Sequence, residues 1–461
     1  MIKHTLYGPP GTGKTSSLLD LLETELQLIS SNKIAFVSYT KKGTYEGVHR
    51  AIKKFDLKEK DLMFFRTIHS LCFKAIGVKR YDMIDKKHYK LLSESTGINF
   101  TGYYTEDFNS VNDEYLHIVA MENHNKELAF NLSKHLNEEK LHYIRYQYGA
   151  MKKQLGILDF DDLLLSYLEY GKPLNVTTAF IDEAQDLTPL QWQVVYKLFA
   201  NCEKIIIAGD DDQAVYEWSG ADVTQFLRFS KEHTILNKSY RMPDKILAIS
   251  KKITNDIRVR QTKECQSNGE EGVIDVHRKM SEMNFKGGEL LLARTNYILR
   301  GLSFKLEDQG ILYELKGKPS INKTVLNAIE CFNRVQNKEI PSKEFMPYRG
   351  MFKNNFENLK WHEAIVMPKH QVAYYERVLA NGTYNNTPVH LETFHSAKGS
   401  EADKVIISTD ITTKVHENFN RNLDSELRCL YVGVTRAKKN LTILLPVGKD
   451  YYPQHYFNAR C

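Results

Sequence analysis

One eight-residue run limits what this chain can fold into more than any other feature. Gly8-Pro9-Pro10-Gly11-Thr12-Gly13-Lys14-Thr15 fits GxxxxGK[ST]; Ile2–Tyr7 before it reads as a short strand, and residues 16–29 after it carry helical apolar spacing. A glycine loop between a strand and a helix lets backbone N–H groups wrap phosphate oxygens, and the helix N-terminus adds positive potential. In that setting residues 8–16, from Gly8 to Ser16, line a nucleoside triphosphate, Lys14 reaches its β- and γ-phosphates, and Thr15 can ligate Mg²⁺.

Such a loop needs an acidic strand end beside it. Thr178-Ala179-Phe180-Ile181 is followed by Asp182-Glu183-Ala184-Gln185-Asp186, and two adjacent carboxylates can divide the work. Asp182 would hold the Mg²⁺ shell, while Glu183 would polarise the attacking water. A third strand, residues 204–208, ends in Gly209-Asp210-Asp211-Asp212-Gln213, which places the Gln213 amide where it could sense a γ-phosphate. Strand ends gathered at one sheet edge are the geometry of a doubly wound parallel sheet, so the fold class is α/β.

Composition bounds the rest. The 461 residues predict about three compact units, and 42% hydrophobic with 26% charged residues excludes a disordered or collagen-like chain. A net charge of +6 permits a polyanionic partner without demanding one. Cys72, Cys202, Cys265, Cys331, Cys429 and Cys461 show neither zinc-site spacing nor the density of a secreted scaffold, which predicts a reducing cytosol, bacterial or host. No uncharged apolar run approaches the roughly 18 residues of a bilayer span, and Met1 leads into the glycine loop without a signal-peptide core. The expectation is a cytoplasmic protein, neither secreted nor bound to a membrane.

The order of further motifs resembles the UvrD/Rep-like helicases of superfamily one, nearly end to end. Phe36-Val37-Ser38-Tyr39-Thr40-Lys41-Lys42 is similar to motif Ia, Thr67-Ile68-His69-Ser70 to motif Ib, and Asp159 through Leu164 to the segment before motif II. Tyr216-Glu217-Trp218-Ser219-Gly220-Ala221 extends motif III, and Ser239-Tyr240-Arg241 is similar to motif IV. Thr393-Phe394-His395-Ser396-Ala397-Lys398-Gly399-Ser400-Glu401 matches motif V, and Tyr431 through Ala437, with Thr435-Arg436, matches motif VI.

The resemblance implies two RecA-like P-loop lobes with parallel sheets, using ATP with Mg²⁺. It gives Arg241 and Arg436 to the γ-phosphate, from a second lobe, where a guanidinium can stabilise transition-state charge. It gives Tyr240 to the adenine face and Glu401 to the ribose. It also implies a strand track in which Tyr39, Tyr216 and Trp218 stack bases while Thr67, His69, Asn296 and His395 contact the strand. Two departures stand out: Ser16 replaces the family's usual arginine after GKT, and Ser219 replaces the arginine after the motif III tryptophan, where a phosphate contact would be lost. The stretch 142–153, mixing tyrosines with basic residues at near-helical spacing, fits either a strand path or a small helical core.

The organisation predicted is a first lobe over 1–238, interrupted by a helical insertion at about 76–154, and a second lobe over 239–461. Between Arg241 and His395 only about 50 residues, 340–388, remain for the accessory subdomain of larger relatives, so that subdomain is expected to be absent or reduced, its remnant packing on the lobe or contacting DNA. With 25 residues after Arg436, a nuclease domain is not expected, and the aromatics of that segment are expected to pack on the second lobe. The activity implied is an ATP-dependent 3′-to-5′ single-stranded DNA translocase that unwinds duplexes, acting at single-strand/double-strand junctions in repair or replication. Two other readings stay open: a translocase that displaces proteins or remodels junctions with little unwinding, and a catalytically silent nucleic-acid-binding protein.

Overall fold

A computed structural model of the chain describes residues 1–38, 41–102, 111–356 and 358–457. They form two compact units: Met1–Glu270 with Asn422–Tyr431, and Glu271–Arg421 with Val432–Cys461. The first unit therefore runs 32 residues past the boundary expected at 238, and it takes back a ten-residue segment from late in the chain.

The first unit is built on a six-stranded, all-parallel sheet. Its strands are β1 (Ile2–Tyr7), β2 (Ile34–Ser38), β3 (Phe65–Arg66), β4 (Thr178–Asp182), β5 (Lys204–Gly209) and β6 (His233–Ile235), in the order β3-β2-β4-β5-β1-β6. The central strands β2, β4 and β5 are buried at nearly every position because both faces of the sheet are covered there. Ile34, Phe36, Phe180 and Ile206 pack under Leu18, Leu19 and Leu22 of the helix Lys14–Leu28. The alternate residues Ala35, Val37, Ile181 and Ile207 pack under Leu190, Val194 and Leu198 of the helix Pro189–Leu198.

The expected insertion is helical throughout its regular elements: Lys86–Thr96, Val111–His124, Lys126–Ser133 and Glu138–Leu155. It has its own small core of Leu92, Phe100, Leu116, Ile144 and Tyr148. Tyr148 belongs to that core, whereas Tyr143 and Tyr146 on the same helix are exposed, so the tyrosine-rich stretch divides between the two readings given to it.

The second unit holds a seven-stranded sheet: β7 (Val273–His277), β8 (Leu290–Ala293), β9 (Tyr313–Leu315), β10 (Lys318–Pro319), β11 (Val389–Thr393), β12 (Ala402–Ser408) and β13 (Ala437–Leu444). The order is β10-β9-β11-β8-β12-β13-β7, parallel except for the β9–β10 hairpin. The helices Lys323–Gln336, Trp361–Ala364 and Lys369–Ala380 lie on this sheet. Phe332, Phe345, Phe352, Tyr374 and Val378 share one core with Leu291 and Leu391 of the strands. The aromatics at the end of the chain also pack on this unit: Tyr452, Tyr456 and Phe457 are buried, with the Tyr452 ring 6.0 Å from that of Phe394, while Tyr451 is exposed. Among the described residues no helix is long and apolar enough to cross a membrane.

Candidate functional site

At the end of β1 the chain turns through the glycine loop into the helix Lys14–Leu28, which has Gly13 at its N-cap and no side-chain cap. Gly11 sits at φ +74°, a left-handed conformation that glycine adopts without a Cβ penalty. Gly8 answers a different need, close approach: a Cβ there would lie 2.5 Å from both Lys14 Cγ and Thr12 Oγ1. Thr12 Oγ1 donates to the Pro9 carbonyl at 2.8 Å, and Lys14 Nζ donates to the Gly8 carbonyl at 2.8 Å, curling the ammonium over the loop.

The acidic edge stands at the end of β4. Thr15 Oγ1 donates to Asp182 Oδ2 at 2.8 Å, joining the first turn of the helix to the strand. Burial pushes the Asp182 carboxyl up to about 6, the neighbouring Glu183 adds to this, and Thr15 and Lys14 oppose it. A buried carboxylate held high by desolvation gains from any cation placed against it. Glu183 takes φ +54°, a left-handed backbone rarely adopted by a side-chain-bearing residue and costing roughly 1 kcal/mol or more.

Gln185 then links this edge to the next strand. Its Nε2 donates to Glu183 Oε2 at 2.6 Å, and its Oε1 accepts from the Asp210 N–H at 3.2 Å. Gln213 Nε2 in turn donates to Asp210 Oδ2 at 2.7 Å. Glu183 and Gln213 are thus joined by one hydrogen-bonded path across the ends of β4 and β5.

These groups fit a magnesium nucleotide on the structure's own terms. The loop closes so tightly at Gly8 that a Cβ there would strike Lys14 and Thr12, the Lys14 ammonium lies over it, and a hydroxyl and a destabilised buried carboxylate stand together as oxygen donors. Gly8, Pro9, Pro10, Gly11, Thr12, Gly13, Lys14, Thr15 and Ser16 are contiguous in this loop and helix start.

The motif IV residues correct one expectation. Ser239, Tyr240 and Arg241 belong to the first unit, and reach the glycine loop from within it. Ser239 Oγ donates to the Pro10 carbonyl at 2.8 Å, and the Tyr240 N–H donates to the Gly11 carbonyl at 2.9 Å. The physical reason is the pairing of β6 beside β1: Leu236 N–H bonds the Tyr7 carbonyl at 2.8 Å, so the chain leaving β6 runs alongside the loop leaving β1. The Tyr240 ring is 72% exposed, with Lys238 Nζ 5.7 Å from its centroid.

Of the expected strand-contacting residues, Tyr216 precedes and Trp218 lies within a short 3₁₀ turn, Glu217–Ser219, just after Gln213, and both are half-buried. Trp218 is held from the helical insertion: His117 Nε2 donates to its carbonyl at 2.8 Å, and the two rings lie 5.7 Å apart. Thr67 caps the helix Ile68–Ala75 by accepting from Ser70 N–H at 3.3 Å. His69, on that helix, is lowered to about 4 by burial, with His124 adding, and its ring meets Phe160 edge-on at 5.5 Å. Tyr39 lies outside the described residues.

In the second unit, Asn296 opens the helix Asn296–Asp308 after β8. His395 is buried just beyond β11; burial first and Arg294 second hold its imidazole well below the usual value. Glu401 is exposed, with Lys438 Nζ 3.7 Å away. Arg436 is buried, donating through Nε to the Val432 carbonyl at 2.9 Å, through Nη1 to the Ser400 carbonyl at 3.3 Å and through Nη2 to Thr435 Oγ1 at 3.1 Å.

Sequence reasoning missed the cations behind the Gln213 turn. Asp210, Asp211 and Asp212 are all buried, and Lys263 meets all three carboxylates, at 3.0 Å for Asp210 and 2.9 Å for Asp212. Arg260 holds Asp212 through two bonds of 2.8 and 2.6 Å. The signal was available: three consecutive aspartates entering a sheet edge must be paired, and the compensating charges have to come from somewhere.

With this geometry established, comparison with known proteins places the chain. The model of the UvrD/REP helicase N-terminal domain matches residues 3–234, and that of the UvrD-like helicase C-terminal domain matches residues 376–446. The chain belongs to the UvrD/REP helicase family. ATP-dependent DNA helicase PcrA of Bacillus subtilis (strain 168) is 27% identical over 252 residues, 50% of this chain and 33% of that protein. PcrA of Staphylococcus aureus (strain Mu50) is 23% identical over 408 residues, 78% of this chain and 53% of that protein. A probable DNA helicase II homolog of Mycoplasma capricolum is 25% identical over 357 residues, 66% of this chain and 46% of that protein. The chain thus spans between a third and about half the length of these relatives.

Proposed function

We propose that this protein is an ATP-hydrolysing DNA helicase, a motor that tracks single-stranded DNA in the 3′-to-5′ direction and opens duplex at junctions. The observation that carries the reading is the Thr15–Asp182 bond at 2.8 Å, with Glu183 alongside and bonded through Gln185 and Asp210 to Gln213. Lys14 would bind the phosphates, Glu183 would accept the proton of the attacking water, and Gln213 would hold that water or the γ-phosphate. Thr15 and Asp182 are the residues that would hold Mg²⁺, whose charge there would offset that of the phosphate oxygens. Tyr240 and Glu401 would contact the nucleoside, and Arg241 and Arg436 would support turnover as the charge-stabilising arginines. Tyr216 and Trp218 would stack on bases, with Thr67, His69, Asn296, His395 and Tyr39 serving the strand. The direction of travel rests on family resemblance.

One observation favours the second reading, protein displacement with little unwinding: Phe332, Phe345, Phe352, Tyr374 and Val378 share a core with the sheet of their own unit, and the described residues around them form no separate compact unit. The deciding experiment measures ATP turnover with and without single-stranded DNA, then strand separation on 3′-tailed and 5′-tailed duplexes, with Lys14→Ala as control. Stimulated turnover and opening of the 3′-tailed duplex are expected. Turnover that is negligible and blind to DNA would end the motor reading, and stimulated turnover without strand separation would select the second.

A further inference from the structure

The turn that carries Gln213 and the turn that carries Tyr216 and Trp218 are tied together by one guanidinium. Arg428 lies on the returning segment Asn422–Tyr431 of the first unit and is 1% exposed. Its Nε donates to the main-chain carbonyl of Asp211 at 3.0 Å, and its Nη1 to Glu217 Oε1 at 2.9 Å. Its Nη2 donates to the Val259 carbonyl at 2.6 Å. Glu217 stands between Tyr216 and Trp218, and its second oxygen accepts from Asn422 Nδ2 at 3.1 Å.

The other side of the Gln213 turn is equally fixed. The Asp211 carboxylate is met by Lys263 and by the Gln261 N–H at 2.8 Å, so that residue is held by both its main chain and its side chain. Asp210, which accepts from Gln213, shares the same lysine. Four carboxylates, those of Asp210, Asp211, Asp212 and Glu217, therefore meet three cations, Lys263, Arg260 and Arg428. Of these three cations Arg428 is the one that touches both turns, and its planar fork fixes the directions of its three acceptors, as the rotatable ammonium of Lys263 does not. A rigid bridge of this kind makes two loops move as one body, and in a buried charge network the alternatives to the bonded arrangement are costly.

We infer that Arg428, gripped by Glu217, is a positioning residue that transmits the state of the Tyr216–Trp218 turn to Gln213, and so sets how strongly bound nucleic acid accelerates ATP hydrolysis. The inference rests on the function proposed above for those two turns. It assigns the coupling to a pair outside the residues proposed above to meet nucleotide or strand. Coupling between two sites of this kind is worth about 5–150-fold in the linked quantity.

The test uses the full chain with Glu217→Gln, Arg428→Lys and the double variant. Steady-state ATP turnover is measured with and without an oligothymidylate, alongside thermal melting. For Glu217→Gln the expected result is basal kcat and KM for ATP within about twofold of the parent, with stimulation by the oligonucleotide reduced about tenfold. Arg428→Lys should lose stimulation at least as strongly, and the double variant should lose no more than the worse single one. Unchanged stimulation in both single variants overturns the inference. So does a parallel fall of basal and stimulated rates accompanied by a lower melting temperature.

A second readout does not depend on stimulation. In protein labelled with 5-fluorotryptophan, the Trp218 resonance is assigned by its loss in Trp218→Phe, and adenosine imidotriphosphate with Mg²⁺ is then added. The resonance should shift in the parent and stay in place in Glu217→Gln. A resonance that stays put in the parent, or shifts equally in both, overturns the positioning role. A parent that shows the shift but no stimulated turnover would remove the motor reading and leave the linkage standing.

Discussion

The Tyr240 N–H donates to the Gly11 carbonyl over 2.9 Å, and Arg241 follows so closely that a Cβ on Gly11 would lie 2.4 Å from Arg241 Cβ. The glycine loop is thus braced by residues more than two hundred positions later. Gly11→Ala adds that clash to a backbone at φ +74°, and each effect disfavours the native loop. A loss of about 1–3 kcal/mol is expected, read as a lower melting temperature together with a raised KM for ATP.

Turnover should report the division of labour at the end of β4. Glu183→Gln keeps the side-chain shape and removes the proton acceptor, so kcat should fall about 10²- to 10⁴-fold with KM for ATP nearly unchanged. Melting should not suffer, because the change also takes a like charge away from Asp182, which Glu183 now helps push upward. An equal loss of binding and turnover would count against the general-base role.

The Asp182 carboxyl predicts a pH signature. Its native value of about 6 lies above the ordinary 3.8, so between those values the folded state holds more protons than the unfolded one. Stability of the nucleotide-free protein should therefore decline as pH rises through that window. A cation held by Asp182 needs the ionised form, so the Mg²⁺ concentration for half-maximal turnover should rise about tenfold per unit as pH falls below about 6. Magnesium titrations at a series of pH values test the second effect. Melting curves of the parent and Asp182→Asn test the first, which the substitution should abolish.

Trp218 gives the sharpest separation of motor from hydrolase. Trp218→Ala should weaken strand separation by about 5- to 150-fold, the worth of one stacked base, while basal hydrolysis changes far less. Trp218→Phe should restore most of it, since a second aromatic face can still lie near His117. Equal loss in hydrolysis and separation would mean that the indole, half-buried against His117 at 5.7 Å, serves the fold.

The parts of this molecule that could be read from its residues are those governed by local rules. The P-loop strand and the strands β4 and β5 follow from spacing and turn chemistry, and the structure has them within a residue or two; the helices of the insertion expected at about 76–154 run from Lys86 to Leu155. Long-range pairing was harder. Nothing local to Ser239 says that β6 will lie beside β1, so Arg241 was assigned to the other lobe when it belongs with the glycine loop. The partners of the three aspartates were also out of reach, because Lys263 and Arg260 are some fifty residues away and look like ordinary surface cations in sequence. The left-handed backbone of Glu183 leaves no trace in composition, since glutamate is not a residue that such a turn selects.

The return of Asn422–Tyr431 to the first unit has a practical consequence. Cutting the chain after Glu270 would not liberate a self-sufficient nucleotide-binding module. Such a fragment would keep Asp211 and Glu217 and lose the guanidinium that both of them hold. Splitting this protein into separately expressed halves would therefore call for a peptide bearing that ten-residue stretch, supplied in trans, to complete the amino-terminal half.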